Sequence, residues 1–377
     1  MVQRSMNCSS SRLATMGGTT YTWLLLWLVA PFSAPAFASA FVHPSPSSSL
    51  EGRPRPRQHI RRSLLVLPSD IVLAQRTKST DQRCAYDDLT ILLPAYNESD
   101  RITETLLAYS SYISTHHKED VVGTSAHPDS LLSIDILVVD DGSTDDTAGA
   151  VRQYSEFNPI LKTSIDCISL PHNEGKGGAI ERGIEEIARR KQQSFGNDDK
   201  NHSISDDRTS LVLVADADGS GDLSCLGDML HTLNNLLVNQ QTQALRSNEA
   251  LIVGNRGYDG AGIARIVLRW GFRTAVKIIC GDLEISDTQC GMKLMTLDAA
   301  NTLYRNLNLR RWSHDVEVLY RAKILGVPVA EVPVKWEDKD GSKLVTSAGG
   351  TIGASIRMLL EIMHMRMEYA LGRWQVN

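Results

Sequence analysis

Residues 136–147 read ILVVDDGSTDDT, and residues 211–220 read LVLVADADGS. In each, a short unbroken apolar run rich in β-branched residues ends in a cluster of carboxylates. Such a run is long enough for a strand buried on both faces and too short for a helix. Two of them in one chain, each followed by helical periodicity, predict a largely parallel, doubly wound sheet. In that architecture ligands bind at the C-terminal ends of the strands, where both acidic clusters fall. Carboxylates crowded together repel and cost stability unless a cation or ligand neutralises them. The expected cargo is therefore a divalent metal carrying a nucleotide diphosphate.

Outward from these runs, residues 89–93 predict a first strand stopped by Pro94, and a helix follows over 99–112. The second strand spans 134–139, with Ser143 or Thr144 capping a helix from about Asp145. A third strand is expected at 167–170 and a helix at 176–190. The polar stretch 191–209 reads as a surface insertion. A fourth strand (211–214), an amphipathic helix (223–237) and a fifth strand (251–254) complete the alternation. Beyond Gly254 the pattern changes to a helix over 263–279, a short strand at 293–295, a helix over 313–325 and a strand over 329–334. Pro333 inside that last strand indicates a sheet edge. Residues 351–372 form a Met- and Leu-rich amphipathic helix carrying Arg357, His364 and Arg366, suited either to the core or to a membrane surface.

The 377 residues carry a formal net charge of −5, unevenly spread. Residues 1–83 hold ten Lys/Arg against three Asp/Glu, and the remainder 29 against 41. An acidic body excludes nucleic acid as the main partner, because phosphate backbones need a basic face. The six cysteines show no CxxC and no Cys/His ligand spacing, which fits reduced thiols. The division that follows is a leader and linker over 1–83, a catalytic domain over 84–350, and the amphipathic helix over 351–377.

The leader holds an apolar stretch over 21–41, close to bilayer-spanning length. Arg53, Arg55, Arg57, Arg61 and Arg62 follow it, against Arg4 and Arg12 before it, so the positive-inside bias places the body in the cytosol. The small residues Ala38, Ser39 and Ala40 equally suit a cleaved signal, and the Ser/Pro/Arg-rich flank suits plastid targeting or translocation. Asn97, Glu98 and Ser99 form a glycosylation sequon inside the expected nucleotide loop, which favours a cytosolic face.

Asp216 and Asp218 can approach one site from a bent loop. Their hard oxygens suit Mg²⁺ or Mn²⁺. Arg256, Arg265, Arg269 and Lys343 are candidate phosphate cations. Residues 172–178 (HNEGKGG) lack both the P-loop and the dinucleotide spacing, and their glycines are expected to seat the following helix against the sheet. His314 and Asp315 open a helix, where the dipole alone favours an acid.

The motifs LLPAYNE (92–98), VVDDGSTDDT (138–147), NEGKGGA (173–179), DADGS (216–220) and GNR (254–256) resemble, in order, the inverting family 2 glycosyltransferases of the GT-A fold. DTQCGMKLMT (287–296), RWSHDVEVLY (311–320), VPVAEVPVKW (327–336) and GSKL (341–344) are similar to the dolichyl-phosphate β-glucosyltransferases among them. The resemblance implies transfer of glucose from UDP-glucose to dolichyl phosphate for protein N-glycosylation, at the cytosolic face of the endoplasmic reticulum membrane. It implies that Pro94, Tyr96, Glu98, Asp141 and Lys176 bind the nucleotide sugar, and that Asp216 and Asp218 bind metal and diphosphate. Arg256, Arg265 and Lys343 would handle phosphates, with Asp218, Arg256 and Asp315 catalytic. Alternatives are a sister enzyme using GDP-mannose and a non-catalytic scaffold that binds nucleotide sugar or lipid. A processive polysaccharide synthase would need several membrane helices and a QxxRW motif, and none of the Arg-Trp pairs at 269, 311 and 373 has a Gln three residues before its Arg, which argues against it.

Overall fold

The computed structural model describes residues 85–116, 133–158, 163–197, 208–242, 248–257, 263–337 and 350–376. The leader and its apolar stretch, residues 198–207, and Lys343 lie outside them. Seven strands form one sheet in the order β3-β2-β1-β4-β6-β5-β7. They are β1 (Ala85–Ala95), β2 (Ser133–Asp140), β3 (Ile165–Ser169), β4 (Arg208–Val214), β5 (Leu251–Asn255), β6 (Lys293–Thr296) and β7 (Val329–Pro333). The helices are α1 (Ile102–His116), α2 (Thr147–Phe157), α3 (Lys176–Asn197), α4 (Leu226–Thr242), α5 (Ile263–Cys280), α6 (Leu297–Tyr304), α7 (His314–Leu325) and α8 (Gly350–Ala370).

The sheet is mixed. β1, β2, β3 and β4 pair in parallel, as do β5 and β7, while β6 runs antiparallel to both β4 and β5. Leu89, Ile91, Leu92 and Leu93 of β1, and Leu211, Val212 and Leu213 of β4, are fully buried. Each such side chain contributes about 1.5–3 kcal/mol relative to exposure. The continuous apolar runs arise because helices cover both faces of these strands. Gly183 lets α3 lie close on β1, since a Cβ there would meet Leu92 Cδ1 at 2.3 Å.

Several expectations need correction. Pro94 does not stop β1: it pairs with Val139 of β2, while pairing with β4 has already ended at Leu92 and Val214. The missing N–H therefore leaves no ladder bond unmade. The helix expected from Ser99 begins at Ile102, after a turn in which the Glu98 carbonyl accepts the N–H groups of Arg101 and Ile102. Neither Ser143 nor Thr144 caps α2, whose N-cap position is Asp146 without a side-chain cap bond. Residues 191–197 continue α3, and 208–210 open β4, so the supposed insertion is shorter than its polarity suggested. Helix α6 was not anticipated; Thr296 Oγ1 caps it by accepting the Ala299 N–H. β7 does lie at the sheet edge, with Pro333 at its end. The four cysteines among the described residues are free thiols.

A second, smaller apolar cluster joins α5, α7 and α8 through Phe272, Val276, Val316, Tyr320, Met358, Ile362 and Met365. One face of α8 thus packs on the body.

Candidate active site

Loops after β1, β2 and β4 converge at the C-terminal edge of the sheet. The first two interlock through their backbones. The N–H groups of Asn97 and Glu98 donate to Ser143 Oγ and Thr147 Oγ1, both at 2.8 Å, and the Thr144 N–H donates to Asn97 Oδ1 at 2.7 Å. Asn97 adopts φ 54°, a left-handed conformation that Asn tolerates better than most residues. Gly142, at φ 66°, is obligatory: a Cβ would lie 2.6 Å from the His172 carbonyl carbon.

The first acidic cluster is absorbed into this framework. Asp140 Oδ1 accepts the Ser143 N–H at 3.0 Å, and Asp145 accepts the Ser99 N–H at 3.1 Å. Asp141 accepts the N–H groups of Glu174 (2.7 Å) and Gly175 (2.9 Å), one on each oxygen. Burial pushes the Asp141 carboxyl up, and those two N–H donors pull against it. Asp141 thereby ties the β2 loop to the segment that leads into α3.

That segment holds the HNEGKGG glycines, and its contacts differ from expectation. A Cβ on Gly175 would meet the Arg310 carbonyl oxygen at 2.6 Å, and one on Gly177 would meet His314 Cβ at 2.7 Å. The Gly177 N–H donates to the Arg310 carbonyl at 2.8 Å. These glycines seat the loop against residues 310–314; it is Gly183, further along, that meets the sheet. The arrangement brings Lys176 beside the second cluster.

Lys176 Nζ pairs with Asp216 Oδ1 and lies 5.8 Å from the Trp312 ring centroid. Asp218 Oδ1 accepts the Ser220 N–H at 3.0 Å, and its Oδ2 lies 3.9 Å from Arg101. Burial disfavours the Lys176 charge, yet Asp216, Asp315 and Asp218 together raise its pKa. Repulsion within the second cluster is thus relieved in part by the chain's own cations, which composition did not reveal. Arg101 also holds Glu98 at 2.6 Å. Pro94 and Tyr96 are partly buried on the same loop edge.

Asp315 is buried at the start of α7, where Lys293 Nζ of β6 donates to its Oδ1 at 2.5 Å and to the Cys290 carbonyl at 2.6 Å. Burial opposes ionisation of Asp315, but His314, Lys293 and Lys176 outweigh it and hold the carboxyl at about 2. His314 Nδ1 lies 2.7 Å from the Arg311 carbonyl, so that nitrogen carries the hydrogen, and burial lowers the ring's pKa. The dipole at a helix start does not account for Asp315, because a buried lysine on a different element meets it. Lys293 went unnoticed in the sequence. Its signal was a lysine inside the otherwise apolar CGMKLM run, since a buried ammonium requires a partner.

Arg256 forms a two-pronged pair with Asp287, Nε to Oδ2 at 2.7 Å and Nη2 to Oδ1 at 2.8 Å. Its guanidinium also lies 5.3 Å from the Trp336 ring centroid. As an expected phosphate ligand it is therefore already engaged by a buried carboxylate. Arg269 donates to the Gly257 carbonyl at 3.4 Å, and Arg265 lies in the first turn of α5.

The donor set suits a hard divalent cation. A Cβ on Gly291 would lie 2.4 Å from Asp216 Oδ2, so the absent side chain leaves room at the carboxylate. Among the described residues no group of three or more His, Cys, Asp or Glu is placed to hold a metal ion by itself. Asp216 and Asp218 would supply hard oxygen ligands of the kind that Mg²⁺ and Mn²⁺ take.

The model of Glycosyl transferase family 2 matches residues 90–238. The dolichyl-phosphate beta-glucosyltransferase of Dictyostelium discoideum is 31% identical over 299 residues, covering 77% of this chain and 77% of that protein. The protein of the same name from Homo sapiens is 30% identical over 295 residues, covering 77% and 78%. Among solved structures, glucosyl-3-phosphoglycerate synthase from Mycobacterium tuberculosis in complex with Mn²⁺ and uridine-diphosphate-glucose overlaps at a TM-score of 0.41. It is 16% identical and covers 74% of this chain and 79% of its own. The family match and the mixed seven-stranded sheet together give a GT-A fold.

Proposed function

The chain belongs to the dolichyl-phosphate β-glucosyltransferases of glycosyl transferase family 2, and from that premise we propose that it transfers glucose from UDP-glucose to dolichyl phosphate with inversion at the anomeric carbon. The observation that carries the reading is the partly exposed carboxylate pair Asp216 and Asp218, set after β4 beside Lys176 and Arg101. Asp216 and Asp218 would hold Mg²⁺ or Mn²⁺ together with the donor diphosphate. The chemistry such a metal would supply when bound is Lewis-acid stabilisation of charge on the diphosphate leaving group. Lys176 adds a point charge on the same side, and Arg101 screens Asp218. Pro94, Tyr96, Glu98 and Asp141 shape the nucleotide pocket, with Asp141 acting through the backbone it clamps. Arg265 and Lys343 meet phosphate groups, while Arg256 supports the site from its pair with Asp287.

A phosphate monoester is already anionic near neutral pH, so the acceptor needs positioning and charge shielding more than a general base. Asp315, held ionised against Lys293, fits an orienting role toward acceptor or sugar. The reading includes a place: the endoplasmic reticulum membrane, entered once through residues 21–41, with the catalytic body facing the cytosol. The sequon supports that side, because a glycan on the Asn97 side-chain nitrogen would place its bulk on the loop proposed to hold the nucleotide.

The test is sugar transfer to dolichyl phosphate by purified full-length protein, with UDP-glucose and GDP-mannose in parallel and with or without a chelator. Transfer from UDP-glucose alone, abolished by the chelator and restored by Mn²⁺ or Mg²⁺, is the expected result. Transfer from GDP-mannose alone would overturn the donor assignment.

A further inference from the structure

Helix α8 has two apolar faces. Met358, Ile362 and Met365 are buried against α5 and α7. On the opposite side, Ile356, Leu360 and Met367 are 54%, 59% and 43% exposed, and Leu371 just past the helix end is 57% exposed. At 3.6 residues per turn these four and Met363 fall within an arc of about 80°, and Ile356 to Met367 alone spans about 16 Å. A single exposed leucine needs no explanation, but a continuous stripe does.

Charge on α8 is sorted by face. Glu361 accepts the Ser313 hydroxyl of the body at 2.5 Å, and buried Glu368 takes Arg373, just past the helix end, at 3.1 Å, so both acids already have partners. The bases flank the exposed stripe: Arg357 and His364 on one side, with His364 4.0 Å from Glu368, and Arg366 on the other, its guanidinium 5.7 Å from the Tyr320 ring centroid. Helix α5 repeats the pattern. Phe272, Val276 and Cys280 are buried, while Val267, Trp270 and Ile278 are 61%, 64% and 66% exposed. Its sequence, IARIVLRWGFRTAVKIIC, holds four cations and no acid.

We infer that the outward stripe of α8 is a docking surface for an anionic lipid bilayer, on which the helix lies in the plane of the headgroups. An apolar stripe edged by arginine suits the interface, where aliphatic side chains enter the acyl boundary and cations meet anionic lipid. With its other face packed on the body, α8 lies along the membrane and does not cross it. Among the described residues no helix is long and apolar enough to cross. The inference rests on the proposed acceptor in one respect: a lipid phosphate is presented at a bilayer surface, and docking by α8 would bring the body to it.

The experiment uses full-length protein in vesicles of phosphatidylcholine and phosphatidylinositol without polyprenyl phosphate. Cys8, Cys84 and Cys167 are replaced by serine, and an environment-sensitive fluorophore is placed at Leu360→Cys or, as a control, at Phe157→Cys. Phe157 is 71% exposed at the end of α2. The expected result is a blue shift and quenching by spin-labelled lipid at position 360 and neither at 157. A label at 360 as solvated as that at 157 would overturn the proposal. So would a blue shift without vesicles that grows with protein concentration, which would mark a second copy as the occupant. In the transfer assay, Leu360→Glu with Met367→Glu is expected to raise KM for vesicle-borne acceptor about tenfold or more, at unchanged kcat and unchanged KM for the donor. An unchanged acceptor KM would contradict it. If the native protein transfers no sugar, the proposed function fails while the fluorophore still decides the docking surface.

Discussion

The two acidic clusters look alike in sequence and do opposite things in the fold. Asp140, Asp141 and Asp145 spend their oxygens on backbone N–H groups of three loops. Asp216 instead pairs with the Lys176 side chain, and Asp218 gives one oxygen to the Ser220 N–H within its own loop and turns the other toward Arg101, 3.9 Å away. A carboxylate that accepts backbone N–H groups is fixed by the fold and has little left for a ligand. One matched by side-chain cations can exchange them for a metal ion. The first cluster builds the loop framework, and the proposed metal role falls to the second.

The largest effect that sharpens this contrast concerns Asp315, which shares Lys176's field with the second cluster. Lys293→Met leaves its carboxylate buried without the lysine, and a loss of about 3–5 kcal/mol is expected by chemical denaturation. A loss under about 1 kcal/mol would mean that the pair is not needed to hold β6 to α7. Next, Asp218→Asn is expected to lower kcat/KM about 10²-fold with an unchanged unfolding midpoint. Equal loss of stability and activity would place Asp218 with the framework.

Asp141→Asn should do the reverse. It replaces a carboxylate that takes two backbone N–H groups, and about 1.5–3 kcal/mol of stability should go with it. Activity per folded molecule should fall less than in Asp218→Asn. The smallest effect is in acid. The Asp315 carboxyl is held at about 2, below its ordinary 3.8. A depressed carboxyl contributes stability that is complete above its unfolded pKa and is lost as pH falls through the folded one. The native protein should therefore lose stability between about pH 4 and pH 2, and Asp315→Asn should flatten that limb of a pH–stability curve.

How far the chain could be read follows from the same physics. The strands at 136–139 and 211–214 were plain because a strand covered on both faces must be apolar throughout. The direction of β6 was not, since KLMT carries no mark of parallel or antiparallel pairing. Helix α6 was missed because eight residues give barely two turns of periodicity, although Thr296 and Asp298 do mark its start. The polar residues 191–197 read as loop, yet they extend α3, with Lys191 reaching Asp88 at 2.7 Å. In the site, Asp216, Asp218 and Lys176 were named from the sequence and stand together. Lys293, Asp287 and Trp336 were quoted only within motifs, because partners 22 to 80 residues apart leave no local pattern.

The division of labour between the clusters is tested most directly by Mn²⁺ binding in the presence of UDP, followed by electron paramagnetic resonance. The native protein and Asp145→Asn should bind the ion with similar affinity, and Asp216→Asn and Asp218→Asn should each lose most of it. Tight Mn²⁺ binding that survives in both second-cluster variants and vanishes in Asp145→Asn would contradict the assignment of the metal to Asp216 and Asp218.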